Sequence, residues 1–196
     1  MFKTLKKGFT LIELLIVIAI VAVLAAVVVL TLNPAELLKQ ARDSNRLNDM
    51  TTLKNAISLY LSDVANPALT TSTPSGNTCY TSTGTIAGAG CGGYFQAAWL
   101  TVGSGGLPIR LVDGTGWIPV NFNLMTSNPL SNLPTDPVNN SVYYYAYAAS
   151  STNSTFELDA KMESQKYASS TSNVVSTDGG NAASVYEGGN SPGLVF

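Results

Sequence analysis

The sequence predicts an α+β chain: one long N-terminal helix, apolar in its first half and amphipathic in its second, packed on a small antiparallel sheet. Three observations carry that expectation. From Leu14 to Leu30 every residue is Leu, Ile, Val or Ala. Between Leu47 and Val64 apolar residues recur at spacings of three and four. From Thr155 to Met162 they alternate with polar and charged residues, behind a tyrosine-rich run.

The apolar run extends through Thr31-Leu32 before Asn33-Pro34 interrupts it. At about 1.5 Å per helical residue, Leu14 to Leu32 spans roughly 28 Å, close to the hydrocarbon thickness of a bilayer. It reads as a membrane helix. Lys3, Lys6 and Lys7 precede it, whereas Lys39, Arg42 and Arg46 beyond it are balanced by Glu36, Asp43 and Asp49. That asymmetry places the N-terminus in the cytoplasm and the rest of the chain outside. A secretory signal peptide would have an apolar core of about 7 to 15 residues and an A-x-A-like cleavage site. This run is longer, and Ala19, Ala22, Ala25 and Ala26 never fall in a strict A-x-A arrangement. Glu13 stands in the first turns of the helix, where a carboxylate costs about 2.5 to 3.5 kcal/mol near the bilayer centre and less near the interface. Such a group needs a partner.

Gly8, Phe9 and Glu13, with Thr10-Leu11-Ile12 between them and Lys6-Lys7 ahead, resemble the N-terminus of type IV pilins and type II secretion pseudopilins. The resemblance implies a leader at 1–8 that prepilin peptidase removes after Gly8, and N-methylation of the new terminal residue, Phe9. It implies a pilin fold: a membrane and polymerisation helix at 9–32, an amphipathic half at 33–65 and an exported head at 66–196. The expected localisation is a single-pass cytoplasmic membrane protein, then a cell-surface or extracellular filament. The expected partners are the membrane, other copies of this chain, other pilins, the peptidase/N-methyltransferase and a pilus or secretion assembly platform. In a filament the amine of Phe9 enters an apolar helix bundle and requires a counter-ion. Glu13 of a neighbouring subunit, or of the same one, is the assembly residue expected to supply it.

Asn33-Pro34-Ala35-Glu36 reads as a helix start, with Asn33 as N-cap and Pro34 in the first turn; a kink or short break is expected there. The next segment carries Leu47, Met50, Leu53, Ile57, Tyr60 or Leu61, and Val64 on one face. Arg42, Asp43, Arg46, Asp49, Lys54 and Asp63 are expected mostly elsewhere, toward solvent, and Asn66-Pro67 is expected to end the helix. In the head, Cys79 and Cys91 are the chain's two cysteines, both presumed extracytoplasmic. They are expected to form a disulfide, whose loop closure contributes roughly 2.5 to 3 kcal/mol in the chain-entropy model.

Thr155 to Met162 places Phe156, Leu158, Ala160 and Met162 on one face and Glu157, Asp159 and Lys161 on the other, a half-buried strand with a solvated acidic side. Val142 to Tyr147 is a second strand, joined to it by a hairpin through Ser150-Ser151-Thr152-Asn153-Ser154. Earlier strand candidates are Tyr94 to Val102, in which Ala97 to Leu100 also suits a short helix, and Ile109 to Val112. Trp117-Ile118-Pro119-Val120 reads as a packed edge or loop. Asp136-Pro137-Val138-Asn139-Asn140 resembles the D-P-x-x-N turn that precedes a sheet hairpin in major pseudopilins. Its side chains suit local backbone bonding.

The same resemblance raises calcium, which many pseudopilins bind after the last strand. Glu163, Asp178 and Asn181 are the candidate ligands, with Glu187 near them among Gly179, Gly180, Gly188 and Gly189; oxygen donors on a flexible loop suit a hard cation. No other cofactor is expected. The chain has no His, which removes imidazole bases, Ser-His-Asp triads and His-based zinc sites. Gly88, Gly90 and Gly93 spell G-x-G-x-x-G, but Cys91 lies within it and no βαβ pattern surrounds it. Without the three leader lysines, seven basic groups face twelve acidic ones, a balance of −5, which does not suit a nucleic-acid coat. The expected function is a structural pilus or pseudopilus subunit and not an enzyme. A membrane-tethered monomeric binding domain that never polymerises is the alternative.

Overall fold

Thr10 begins the first helix. Its hydroxyl accepts from the Glu13 N–H while the Glu13 carboxylate accepts from the Thr10 N–H, a capping box that starts α1, Leu11–Leu32. The run is rich in Val and Ile, which are middling helix formers in water, but in hydrocarbon a helix satisfies every backbone group within the segment. Asn33 ends α1 in the left-handed conformation, φ 40° and ψ 76°. Its Oδ1 and carbonyl then accept from the Glu36 N–H at 3.4 and 3.0 Å, starting α2, Pro34–Asp63. The expected break is therefore present. Pro34, without an N–H, occupies the first helical position, where none is needed.

The computed structural model describes residues 8–70, 78–84, 86, 89–95, 100–103, 109–150, 153–169 and 173–193. The leader before Gly8, Gly88, and residues 96–99 of the Tyr94 to Val102 candidate lie outside the described residues, whereas Leu100, which the short-helix alternative included, is in a strand. The chain divides into two compact units, Met1–Leu38 and Lys39–Phe196. In the first, every described side chain of α1 is exposed, and Leu11–Val29 is long and apolar enough to cross a membrane.

In the second unit, the expected apolar face of α2 is buried through Met50, Leu53, Ala56, Ile57 and Tyr60. These residues form one core with Trp117, Ile118, Val120, Phe122, Tyr145, Tyr147, Phe156 and Leu158. Burying each Leu or Ile contributes about 1.5–3 kcal/mol. Asp43 and Arg46 are also buried on α2, which corrects their expected place toward solvent. The helix stops at Asp63, ahead of Asn66-Pro67, and the Asp63 carboxylate accepts from the Thr126 N–H at 2.7 Å.

The sheet runs β2-β1-β3-β4-β5, with β1 Thr78–Thr81, β2 Leu100–Gly103, β3 Tyr145–Ser150, β4 Thr155–Ala160 and β5 Tyr186–Gly189. β1 and β2 are parallel and the other pairs antiparallel, so the α+β class and the β3–β4 hairpin are as expected and the architecture is consistent with a pilin fold. β3 starts at Tyr145 and not Val142, because Asn140 Oδ1 accepts from the N–H groups of Val142 and Tyr143 and holds them in a turn. Ile109 to Val112 is not a strand. Its carbonyls accept from Trp117, Leu133 and Phe122, scattered partners that cannot form a ladder. Trp117 to Val120 is a loop, buried at Trp117, Ile118 and Val120, with the Trp117 indole donating to the Pro134 carbonyl at 3.0 Å.

Alternation gives the sheet two faces. Tyr80, Tyr145, Tyr147, Phe156 and Leu158 belong to the core that includes α2, while Cys79, Ala146 and Ala148 belong to a second cluster with Cys91, Phe95 and Tyr144. A disulfide joins Cys79 of β1 to Cys91, 6.0 Å apart at Cα. Cys91 sits in a left-handed turn with φ of 63°, 52° and 72° at Gly90, Cys91 and Gly92. The Tyr144 hydroxyl donates to the Cys91 carbonyl at 2.7 Å, and the Tyr144 ring stacks on Tyr94 at 4.6 Å. Replacing both cysteines by Ala is expected to lower the unfolding free energy by about 3 kcal/mol for this 12-residue separation. Denaturant titration of the double variant checks it, and a change below about 1 kcal/mol means that the turn holds itself.

Candidate functional site

Three groups of residues carry charge into places where it must be used or neutralised. The first is the start of α1. Gly8, Phe9 and Thr10 lie ahead of the helix and are exposed, Phe9 to 89%. Glu13 Oε2 accepts from both the Thr10 N–H and the Thr10 hydroxyl at 2.8 Å. A carboxylate in the first turn also complements the positive end of the helix dipole. Glu13 is therefore a capping residue, a role that the S/T-x-x-E spacing encodes and that the sequence reading passed over.

The second group is a buried ionic cluster on α2. The Arg46 guanidinium meets Asp136 with two bonds of 2.6 and 2.9 Å, Asp43 at 2.7 Å and Glu163 at 2.6 Å. The Tyr143 ring lies 5.1 Å from it. Asp43 also accepts from the backbone and hydroxyl of Ser164, and Arg42 closes a fork on Glu163 at 2.9 and 2.6 Å. Asp136 Oδ1 accepts from the N–H groups of Val138 and Asn139, so the expected turn exists and doubles as an anchor for Arg46. Burial alone would lower the Arg46 pKa, but the bonds and charge of Asp136, with Asp43 and Glu163, more than offset it and raise the value. The Arg42 guanidinium, helped by Arg46 and opposed by burial, holds Glu163 below the usual carboxylate range. Glu163, expected among calcium ligands, is thus committed to two guanidinium groups.

The third group is on the sheet face that carries the disulfide. Glu157, Asp159 and Glu187 are 2%, 0% and 1% exposed, which corrects the expected solvated face of β4. Burial first, then the charges of Glu157 and Glu187, push the Asp159 carboxyl well up. The ligand atoms of all three lie within 4.8 Å of one another. Asp178 and Asn181, the other expected ligands, are turn-builders. Asp178 accepts from the Gly180 and Glu187 N–H groups at 3.0 and 2.9 Å, and Asn181 donates to the Gly193 carbonyl at 3.2 Å. Glu187 Oε2 accepts from the Ala182 N–H at 2.6 Å.

Residues 3–29 match the family described as the prokaryotic N-terminal methylation motif. No curated protein and no solved structure matched the chain. The motif implies processing by prepilin peptidase and pilin-type assembly in general, and its family is structural rather than enzymatic. The apolar α1 behind it fits membrane anchoring followed by a surface filament. The matched N-terminus, the capped apolar helix and the α+β head are together consistent with the type IV pilin and pseudopilin family.

Proposed function

We propose that this chain is a structural subunit of a type IV pilus or a related pseudopilus. Prepilin peptidase cuts between Gly8 and Phe9, the amine of Phe9 is methylated, α1 holds the subunit in the membrane, and the same helix then packs against those of other subunits. The observation that carries the reading is the exposure of every described side chain of α1. A helix apolar on every side is covered by lipid or by its own kind, and a pilin-type motif at its head favours a succession of both. Exposure of Gly8 and Phe9 ahead of the helix supports access by a peptidase.

Mass spectrometry of the N-terminal peptide, from membranes and from sheared filaments, tests the reading. A peptide beginning at methylated Phe9 in both fractions is expected. An intact leader in membranes, with no chain in any filament, would establish the tethered monomer instead. Sheared extracellular filaments that contain the chain identify a pilus, and a processed chain confined to the envelope identifies a pseudopilus.

A further inference from the structure

We propose that Glu157, Asp159 and Glu187 form a calcium site buried in the β4–β5 pair, on the sheet face that carries the disulfide. The register builds it. Asp159 and Glu187 are direct cross-strand partners, and Glu157 lies two residues back on the same face, opposite Gly189, which has no side chain to fill the space. The neighbouring β3 partners on that face are Ala146 for Asp159 and Ala148 for Glu157, the smallest side chains able to leave room beside the acids.

Asp159 is collected into the cluster without a donor of its own. Among the described residues, neither oxygen of Asp159 meets an N–H or O–H donor, and Glu187 Oε1 is in the same condition, although all three atoms are buried. One carboxylate oxygen from each of Glu157, Asp159 and Glu187 lies within 4.8 Å of the other two. Carboxylates gathered this closely away from water repel one another and require either protons or a cation. Two oxygens that are each about 2.4 Å from one ion stand at most about 4.8 Å apart, so the spacing is that of a single coordination sphere.

The donor set chooses the ion. It is all oxygen, with no imidazole or thiolate, which suits a hard cation over zinc or copper. Calcium accepts several mono- or bidentate carboxylates in irregular geometry, whereas magnesium keeps most of its waters, for which side chains no more than 2% exposed leave little access. The loop before β5 completes the frame: Asp178 fixes the Glu187 backbone, Ala182 holds Oε2, and Gly180 packs so closely that a Cβ there would collide with the Glu187 carboxylate. Of the residues expected around a calcium ion, this site keeps Glu187 and replaces Glu163, Asp178 and Asn181 with Glu157 and Asp159.

Native mass spectrometry and thermal unfolding of the detergent-solubilised full chain, in calcium chloride, magnesium chloride or chelator, test the proposal. One calcium per chain is expected, with a higher unfolding temperature in calcium than in magnesium or chelator. Asp159→Asn should weaken calcium binding by at least about a hundredfold, above the range for changes outside the ligand shell. Asn181→Ala should bind as wild type does. If Asp159→Asn does not fold, Glu157→Gln is read in the same way, and the wild-type stoichiometry stands alone. No calcium on the wild-type chain, an equal response to magnesium, or loss of binding in Asn181→Ala but not Asp159→Asn overturns it. In the first case protons neutralise the acids.

Discussion

Replacing Arg46 by Met is expected to destabilise the head by about 3–5 kcal/mol, the usual effect of removing one member of a buried ion cluster. The guanidinium is wholly buried and touches Asp43, Asp136 and Glu163. Met fills much of the volume, so the loss is electrostatic: three carboxylates would remain, with Arg42 bonded to Glu163. Arg46→Lys should recover less than half, because an ammonium cannot reproduce the two-pronged contact with Asp136 while reaching the other two acids. Urea titration of the full chain in detergent measures both. A loss under 1 kcal/mol for the Met variant would show that water or rearrangement solvates the acids.

The same experiment has a pH signature. Glu163 has its carboxyl pKa lowered in the folded chain, first by Arg42 and then by Arg46. A depressed value means that its stabilisation is fully present above the ordinary carboxyl range, near 4.5, and is lost as pH falls through the lower folded value. The gap between wild type and Arg46→Met should therefore be widest near neutrality and narrow below about pH 4.5, as protonation relieves the uncompensated acids.

What the sequence disclosed and what it hid divide along one physical line. Apolar burial is periodic, so the α2 face and the Phe156, Leu158 and Ala160 side of β4 were legible from spacing alone. Buried charge is not recognisable that way, because its partners are remote: Arg46 meets Asp136 ninety residues later. A clue existed, since the spacing of three and four carried back from Met50 lands on Arg46 and Asp43. For Glu157 and Asp159 the clue lay in the next strand, where Ala146 and Ala148 alternate with tyrosines and mark a second face that is also covered. The parallel β1–β2 pair had no local sign, since Thr78–Thr81 and Leu100–Gly103 each supply only four residues to it. At the N-terminus the opposite holds. The match over residues 3–29 is to a linear motif, which is read without any remote partner.

That motif yields the second large effect. Glu13→Gln is expected to reduce incorporation into filaments by about a hundredfold or more, while membrane insertion and removal of the leader stay normal. Both capping bonds use Oε2, so Oε1 can accept from the Phe9 amine of another subunit without breaking the cap. Gln at this position still caps a helix that begins at Thr10, since the capping box accepts Glu or Gln. What it lacks is the charge. An amine carried into packed apolar helices without a counter-ion costs about 3–5 kcal/mol, which exceeds a hundredfold in a docking equilibrium. Thr10→Ala makes the complementary change: it removes the hydroxyl and keeps the charge, for a loss of about 1 kcal/mol in helix stability. If charge is the assembly contact, Thr10→Ala assembles and Glu13→Gln does not. If capping is what matters, the order reverses. Quantifying each chain in sheared filaments against its processed membrane pool separates the two, and wild-type yield from Glu13→Gln would remove Glu13 from the assembly interface.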